Sequence, residues 1–289
     1  MRLANLGGRA TLIVPDADDR GVDLAEVSGG KFGPDVQSIY ENWGGLRDFV
    51  ADIDLTTTAT VVIEQLRLMA PVPAPRQVFG IGLNYRSHVA ESGMDLPSVP
   101  ATFTKFPSCI IGPFAEVELP NDTVDWEVEL VVVIGRRADR VAESEAWSHV
   151  AGLTVGQDLS DRTLQFAAGG QFSLGKSHRG FGPIGPWLVT PDELRNRDDL
   201  ALGCRIDGES VQDARTSDLV FDVPQLVAKL SAVVPLLPGD LIFTDTPAGV
   251  GASRKPPRFL QPGESLESWI EGIGSTRTRF TTAGGQHAG

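Results

Sequence analysis

Val124-Asp125-Trp126-Glu127-Val128-Glu129-Leu130-Val131-Val132-Val133-Ile134-Gly135 is the stretch on which the reading of the fold turns. Its β-branched and aromatic residues, closed by a glycine, read as a β-strand. Side chains on a strand alternate between faces. Asp125, Glu127 and Glu129 therefore share one face, and Trp126, Val128 and Leu130 share the other. From Val131 to Ile134 both faces are apolar, the signature of a buried strand. Carboxylates at the mouth of such a strand are costly unless something neutralises them, because burial and mutual repulsion disfavour their charged form. Two solutions are open at this level. A hard divalent cation such as Mg²⁺, Mn²⁺ or Ca²⁺ suits oxygen ligands. An exposed strand end with the acids paired to Lys or Arg is the plainer one.

The chain around this strand is ordinary in composition and unusual in charge. Its 289 residues are 41% apolar and 22% charged, enough for one large domain or two smaller ones. The formal net charge of −13 argues against nucleic acid and anionic membrane surfaces as partners. Cys109 and Cys204 form no metal motif and are expected as buried free thiols in a reducing compartment. No apolar run approaches the ~18 residues of a membrane span. Met1 to Leu6 lacks a signal-peptide core. A cytoplasmic protein is expected.

Residues 1–70 read as a small separate unit. Arg9 to Val14 and Gly21 to Val27 are expected strands, with turn chemistry from Pro15 to Gly21. Ser38 to Asp52 has helical spacing. Pro71-Val72-Pro73-Ala74-Pro75 can continue neither a helix nor a central strand and marks the domain boundary. From 76 to 280 short apolar runs alternate with turns: 77–81, 101–106, 126–134, 150–155, 187–189, 202–206 and 241–243. Helices are expected at 144–150, 162–167 and 224–230. The fold class is a mixed, β-rich α+β arrangement rather than regular βαβ alternation. The small polar tail, 281–289, is expected to be disordered.

Four further stretches could carry chemistry. In Asn84-Tyr85-Arg86-Ser87-His88-Val89-Ala90-Glu91, His88 and Glu91 lie three apart, on one face of a helix stopped by Gly93. A carboxylate beside an imidazole makes a general base near neutral pH, although an incidental surface pair has the same spacing. The loop from Gly93 to Pro100 would let the pair sit on a lid. Asp158 ends an expected strand, and Arg162 and Gln165 follow it three apart, able to face a carboxylate or oxyanion. Asp158 or Ser160 could equally cap that helix. Gly175-Lys176-Ser177-His178-Arg179-Gly180 is a basic loop without P-loop spacing. Gly239 to Gly251 reads as turn, strand and a glycine-rich loop in which the backbone could approach a ligand.

In their order along the chain, these segments resemble the fumarylacetoacetate hydrolase (FAH) family across about 76–275. GLNYRSHVAE, FTKFPSCIIGP, DWEVELVVVIG, GQDLSDRTLQ, GKSHRGFGPIGPWLVT and GDLIFTDTPAGVG carry the resemblance. It implies a β-roll catalytic domain at 76–280, with 1–70 similar to the N-terminal extension of many bacterial members. It implies one Mg²⁺ or Mn²⁺ held by Glu127, Glu129 and Asp158, and a lid dyad of His88 and Glu91. Lys176 matches the pocket lysine, Arg162 and Gln165 the substrate-facing pair, and Thr246 the threonine of the T-G-T-P loop. Homodimers are common in the family. The chain departs from its pattern at Asp245, where the loop has glycine, at Ser177-His178-Arg179, where S-F-D is usual, and at Ser160-Asp161-Arg162-Thr163, where S-A-R-D is usual.

The leading expectation is hydrolysis of a carbon–carbon bond in a small anionic β-diketo acid, of the acylpyruvate or 2,4-diketo acid type. In that scheme His88, oriented by Glu91, activates water, while Lys176 with Gln165 stabilises the oxyanion. Decarboxylation or keto–enol isomerisation of a related 2-oxo acid in the same site is the alternative. A ligand-binding relative without turnover is disfavoured by the intact residue set.

Overall fold

The computed structural model describes residues 1–282 apart from positions 57, 59 and 168. Three antiparallel strands open the chain: β1 (Arg2–Leu6), β2 (Arg9–Val14) and β3 (Ala17–Asp23). Three helices follow, α1 (Leu24–Val27), α2 (Val36–Ile39) and α3 (Trp43–Ala51), then the short strands β4 (Val61–Val62) and β5 (Leu68–Met69). Next come β6 (Val78–Gly82), α4 (Arg86–Ser92), β7 (Ala101–Thr104), β8 (Ile110–Ile111) and β9 (Phe114–Leu119). The acidic stretch supplies β10 (Val124–Asp125) and β11 (Val128–Ile134). Then follow β12 (Val150–Gln157), β13 (Ser160–Asp161), α5 (Arg162–Ala167) and β14 (Gly182–Val189). The chain closes with β15 (Ala201–Ile206), β16 (Glu209–Arg215), α6 (Val223–Ser231), β17 (Leu241–Phe243), β18 (Ser265–Ile270) and β19 (Gly274–Thr282).

The main sheet runs in the order β4-β3-β2-β1-β14-β12-β11-β17-β6-β7. A second sheet runs β16-β15-β18-β19-β9. The mixed, sheet-rich architecture is the one expected. β11 is its centre, antiparallel to β12 and β17, and all of its residues are buried. Its alternation sorts side chains into two cores. Val128, Leu130, Val132 and Ile134 join Leu202, Leu266 and Phe280 from the second sheet. Val131 and Val133 join Leu12, Trp43 and Leu46 from the N-terminal segment. Each such side chain contributes roughly 1.5–3 kcal/mol when fully buried. The N-terminal strands continue the main sheet directly, with Arg2 and Leu3 of β1 paired to Val189 and Leu188 of β14.

Several elements differ from the sequence reading. The strand expected from 124 to 134 is interrupted at Trp126 and Glu127, because side chains take over the backbone hydrogen bonds. Trp126 N–H donates to Asp125 Oδ1 (2.8 Å), Glu127 N–H to Gln157 Oε1 (2.8 Å) and Val128 N–H to Gln212 Oε1 (3.0 Å). The turn after β2 is only Pro15-Asp16, and Ala17 to Arg20 already belong to β3. Leu24 to Val27 is helical rather than extended, since the Asp23 carboxylate accepts from Glu26 N–H (3.1 Å) and caps the turn. The helix expected at 38–52 is broken by a 3₁₀ turn at Tyr40–Asn42. The segment near 144–150 is 3₁₀ helix, Glu143–His149. Thr281 and Thr282 were expected in a disordered tail, but they end β19 paired with Glu118 and Leu119; 283–289 lie outside the described residues. Among the described residues no helix is long and apolar enough to cross a membrane.

Candidate active site

The N-terminal end of β11 and the C-terminal end of β12 lie side by side because the two strands are antiparallel, with Val128 opposite Gln157. That register brings Asp158 beside the acids of β11. Glu127, Glu129 and Asp158 each offer an oxygen within 4.8 Å of the others. All three are buried, Glu129 and Asp158 completely. The expectation of solvated acids at an exposed strand end therefore does not hold, although the ion pairing it carried does.

Three cations surround the cluster, Lys105 and Lys176 buried and Arg162 partly so. Lys176 Nζ lies 2.5 Å from Glu127 Oε2 and 2.8 Å from Asp158 Oδ2. Arg162 Nη1 lies 2.7 Å from Glu127 Oε1. Lys105 Nζ lies 2.5 Å from Asp158 Oδ1 and also donates to the Phe181 and Lys176 carbonyls. Burial alone would raise Glu127, but Lys176 and Arg162 overrule it and hold the carboxyl down at about 2. Burial would lower Lys176 and Arg162, yet their carboxylate partners push both upward. Glu129 is the exception. Burial, reinforced by Asp158, Asp245 and Glu127, drives its carboxyl well above the ordinary range.

The donor set fits a hard divalent cation. Asp125, Glu127, Glu129, Asp158 and Asp245 outnumber the fixed cations Lys105, Arg162 and Lys176 in this buried region. Glu129 Oε1 is buried and has no hydrogen-bond partner among the described residues. An orphaned carboxylate oxygen beside two further carboxylates is the ligand arrangement that Mg²⁺ or Mn²⁺ takes up.

Above the carboxylates lies a cavity of about 510 Å³. Glu127, Arg162, Gln165 and Lys176 provide its polar side, and Phe103, Phe166, Phe172 and Met94 an apolar one. His88 faces it from α4, a helix stopped by Gly93 in the left-handed conformation. His88 Nδ1 lies 3.3 Å from Glu91 Oε2, which leaves Nε2 as the nitrogen available to a ligand. Burial opposes protonation of His88, but the Glu91 hydrogen bond and the Asp245 and Glu127 charges outweigh it and raise its pKa. Burial raises Glu91 in turn, and His88 with the Gly249 N–H brings it below the usual range. A larger hollow of about 600 Å³ lies at the other end of β11, among Arg47, Arg136, Arg137 and Arg197. Glu41 and Asp192 line it, but among the described residues it holds no histidine and none of the clustered carboxylates.

The structure thus brings together His88, Glu91, Glu127, Glu129, Asp158, Arg162, Gln165 and Lys176. Arg162 is largely committed to protein: Nε and Nη2 donate to Asp125 Oδ2 (2.9 and 2.7 Å) and Nη1 to Gln165 Oε1 (2.9 Å). Thr246 is not on the cavity wall. Its hydroxyl donates to the Val128 carbonyl (2.9 Å) and accepts from Gln212 Nε2 (2.8 Å). Its neighbour Asp245 lines the cavity instead. His178 points away to Asp161 (3.0 Å), which supports the start of α5.

Two contributors were not assigned from sequence. Lys105 sits in Phe103-Thr104-Lys105-Phe106, where a single lysine after an apolar strand carries little signal. Asp125 is fully buried and accepts from Gly251 N–H (2.7 Å), Ala252 N–H (3.0 Å) and Arg162, so it fixes both the guanidinium and the loop over the cavity. Its position on the acidic face of the strand was the available clue.

The model of the fumarylacetoacetate (FAA) hydrolase C-terminal family matches residues 77–281. The mitochondrial oxaloacetate tautomerase Fahd2a of Rattus norvegicus is 42% identical over 212 residues, 73% of this chain and 68% of its own. The crystal structure of a protein assigned as HpcE from Mycobacterium smegmatis superposes with a TM-score of 0.92 at 51% identity, covering 98% of this chain and 100% of that one. Maleylpyruvate hydrolase from Sphingobium sp. SYK-6, in complex with manganese(II) and pyruvate, superposes with a TM-score of 0.80 at 28% identity, covering 98% and 99%.

Proposed function

Because the chain belongs to the fumarylacetoacetate hydrolase family, we propose that it is an enzyme that moves a proton at the carbon beside the carbonyl of a small 2-oxo acid, interconverting keto and enol forms. The observation that carries this reading is one histidine base, oriented by its own carboxylate, facing a buried carboxylate cluster with an orphaned oxygen. Similarity to an oxaloacetate tautomerase supports it.

Glu127, Glu129 and Asp158 would hold one divalent cation, Mg²⁺ or Mn²⁺, which when bound supplies Lewis acidity to the oxygens of a 2-oxo acid. The protein's own groups do the rest. His88 Nε2 removes the proton from the carbon beside the carbonyl. The Glu91 carboxylate accepts the Nδ1 hydrogen bond and stabilises the imidazolium so formed. Lys176 and Gln165, on the polar side of the cavity, face the negative charge that develops on oxygen. The proton held on His88 then passes to that oxygen to give the enol; the reverse sequence gives the ketone.

A second reading, hydrolysis of the carbon–carbon bond of an acylpyruvate, is favoured by the size and apolar wall of the cavity. About 510 Å³ lined by Phe103, Phe166, Phe172 and Met94 exceeds the needs of a four-carbon diacid and suits an acyl tail. There His88 would take its proton from water. We further propose a homodimer on the family resemblance, a cytoplasmic location on the two buried free thiols, and 1–70 as a small unit whose strands join the sheet of the catalytic unit 76–280.

A product panel tests the choice. Metal-loaded protein is offered oxaloacetate, a 2-hydroxydienoate and several acylpyruvates, with and without EDTA, and products are identified by mass and NMR. Chelator-sensitive keto–enol exchange without fragmentation is the expected result. Pyruvate with a second carboxylic acid would transfer the assignment to hydrolysis, and CO₂ to decarboxylation.

A further inference from the structure

Asp245 stands where the resembled loop has glycine, and its surroundings give that difference a purpose. Its backbone φ is +85°, a conformation that side chains other than those of Asn and Asp rarely adopt. It is also a buried carboxylate. Both features are unfavourable, so the contacts it makes must hold it there. Its Oδ2 accepts from Asn84 N–H (2.5 Å) and Tyr85 N–H (3.1 Å). Its own N–H donates to Glu129 Oε2 (2.9 Å).

Asn84 and Tyr85 are the last residues before α4, the helix that carries His88 and Glu91. Leu83 just before them is also in the left-handed region, at φ +57°. The turn that launches α4 is therefore strained. The far end of α4 returns to the same loop, because Glu91 Oε1 accepts from Gly249 N–H (3.0 Å). Helix and loop are fastened at two points with His88 between them. Asp245 is not one of the three clustered ligand carboxylates, and its Oδ2 is occupied by two amides.

We propose that Asp245 is a positioning residue whose carboxylate ties the turn before α4 to the loop behind Glu129, setting His88 over the carboxylate cluster before substrate arrives. The inference rests on the proposed role of His88 as the base. In chains with glycine at this point the tie is missing, and the helix would have to be ordered by other contacts or by substrate.

The test compares Asp245→Asn and Asp245→Gly with the parent, all loaded with Mn²⁺. Asparagine keeps an oxygen acceptor for the two amides. Glycine removes it while relieving the backbone at φ +85°, so the fold is retained, which the Tm checks. For Asp245→Gly we expect kcat to fall about 10–100-fold, the scale of a displaced catalytic group, with Mn²⁺ affinity unchanged. Hydrogen exchange at the Asn84 and Tyr85 amides should speed up by about tenfold or more. Asp245→Asn should keep the parental exchange at both amides and retain more of kcat than Asp245→Gly. A glycine variant with parental kcat and parental exchange would overturn the inference. So would an asparagine variant as impaired as glycine, because charge and not the tie would then be at work. If the parent turns over no acid in the panel, the proposed function fails; exchange at Asn84 and Tyr85 still decides whether the tie exists.

Discussion

The two ends of β11 handle charge in opposite ways. At the Val128 end, Glu127, Glu129 and Asp158 are buried together, held by Lys105, Arg162 and Lys176. Roughly 20 Å away along the strand, Arg47 pairs with Asp192 and Arg137 with Asp139 in contact with solvent. Both ends have ion pairs at similar distances. Among the described residues, only the buried end has a carboxylate oxygen with no hydrogen-bond partner and a carboxyl forced well above its ordinary range. Distance alone does not mark a functional site; uncompensated burial does, because desolvation makes each charge there consequential and solvent screens those at the other end.

Removing one of the proposed ligand carboxylates breaks the contrast most severely. Glu129→Gln should lose Mn²⁺ binding in calorimetry and all measurable turnover. Its metal-free form should gain stability at neutral pH. Glu129 is raised in the folded state, so folding costs stability once pH exceeds the ordinary carboxyl value, and the amide removes that cost. Retained Mn²⁺ binding would remove Glu129 from the proposed ligand set. His88→Gln comes next, with turnover expected to fall by about 10²–10⁴-fold and metal affinity unchanged. Parental turnover would assign the base elsewhere.

Lys105→Met sharpens the comparison from the cation side. It leaves Asp158 with one buried counterion fewer, and breaking such a pair costs about 3–5 kcal/mol. Denaturant unfolding of the metal-free form measures this; a loss below 1 kcal/mol would show that Lys176 alone suffices. Added Mn²⁺ should restore part of the loss, since ligand binding stabilises the folded state.

The pH profile gives a subtler effect. Only neutral His88 can take a proton, and its pKa is raised. The acidic limb of kcat should therefore lie above the ordinary imidazole value of about 6.5, and activity should fall as pH drops through it. Glu91→Gln should shift the limb downward. For folding the sign is opposite: the stability His88 contributes is complete below its unfolded value and is lost as pH rises through the folded one. A limb at or below the ordinary value would contradict the Glu91 contact. The smallest effect belongs to the other end of β11, where Arg137→Ala should leave both Tm and turnover unchanged. A loss of turnover there would undo the distinction between the two ends.

Much of the site was legible because acids on an otherwise apolar strand conflict with burial, and conflicts of that kind localise function. Glu127, Glu129 and Asp158 stand at such points, and His88 and Glu91 share a short helix. Lys105 and Asp125 escaped assignment because their partners, Asp158 and Arg162, are 53 and 37 residues away. Asp245 was visible as a departure, but its link to Asn84 spans 161 residues. In the fold, β19 was missed because its inward side chains, Thr276, Thr278 and Phe280, alternate with Arg277 and Arg279. Buried threonines give the period of a strand without its hydrophobicity. Ala17 to Arg20 read as a turn because they are polar, yet pairing with β2 extends them near the sheet's edge.

The most direct measurement is deuterium incorporation at the carbon beside the carbonyl of oxaloacetate, followed by NMR in D₂O with Mn²⁺-loaded protein, with His88→Gln in parallel. Exchange accelerated over the protein-free rate, abolished by EDTA and lost in His88→Gln, is the expected result. Stoichiometric Mn²⁺ binding without any acceleration would contradict proton transfer as the reaction of this site.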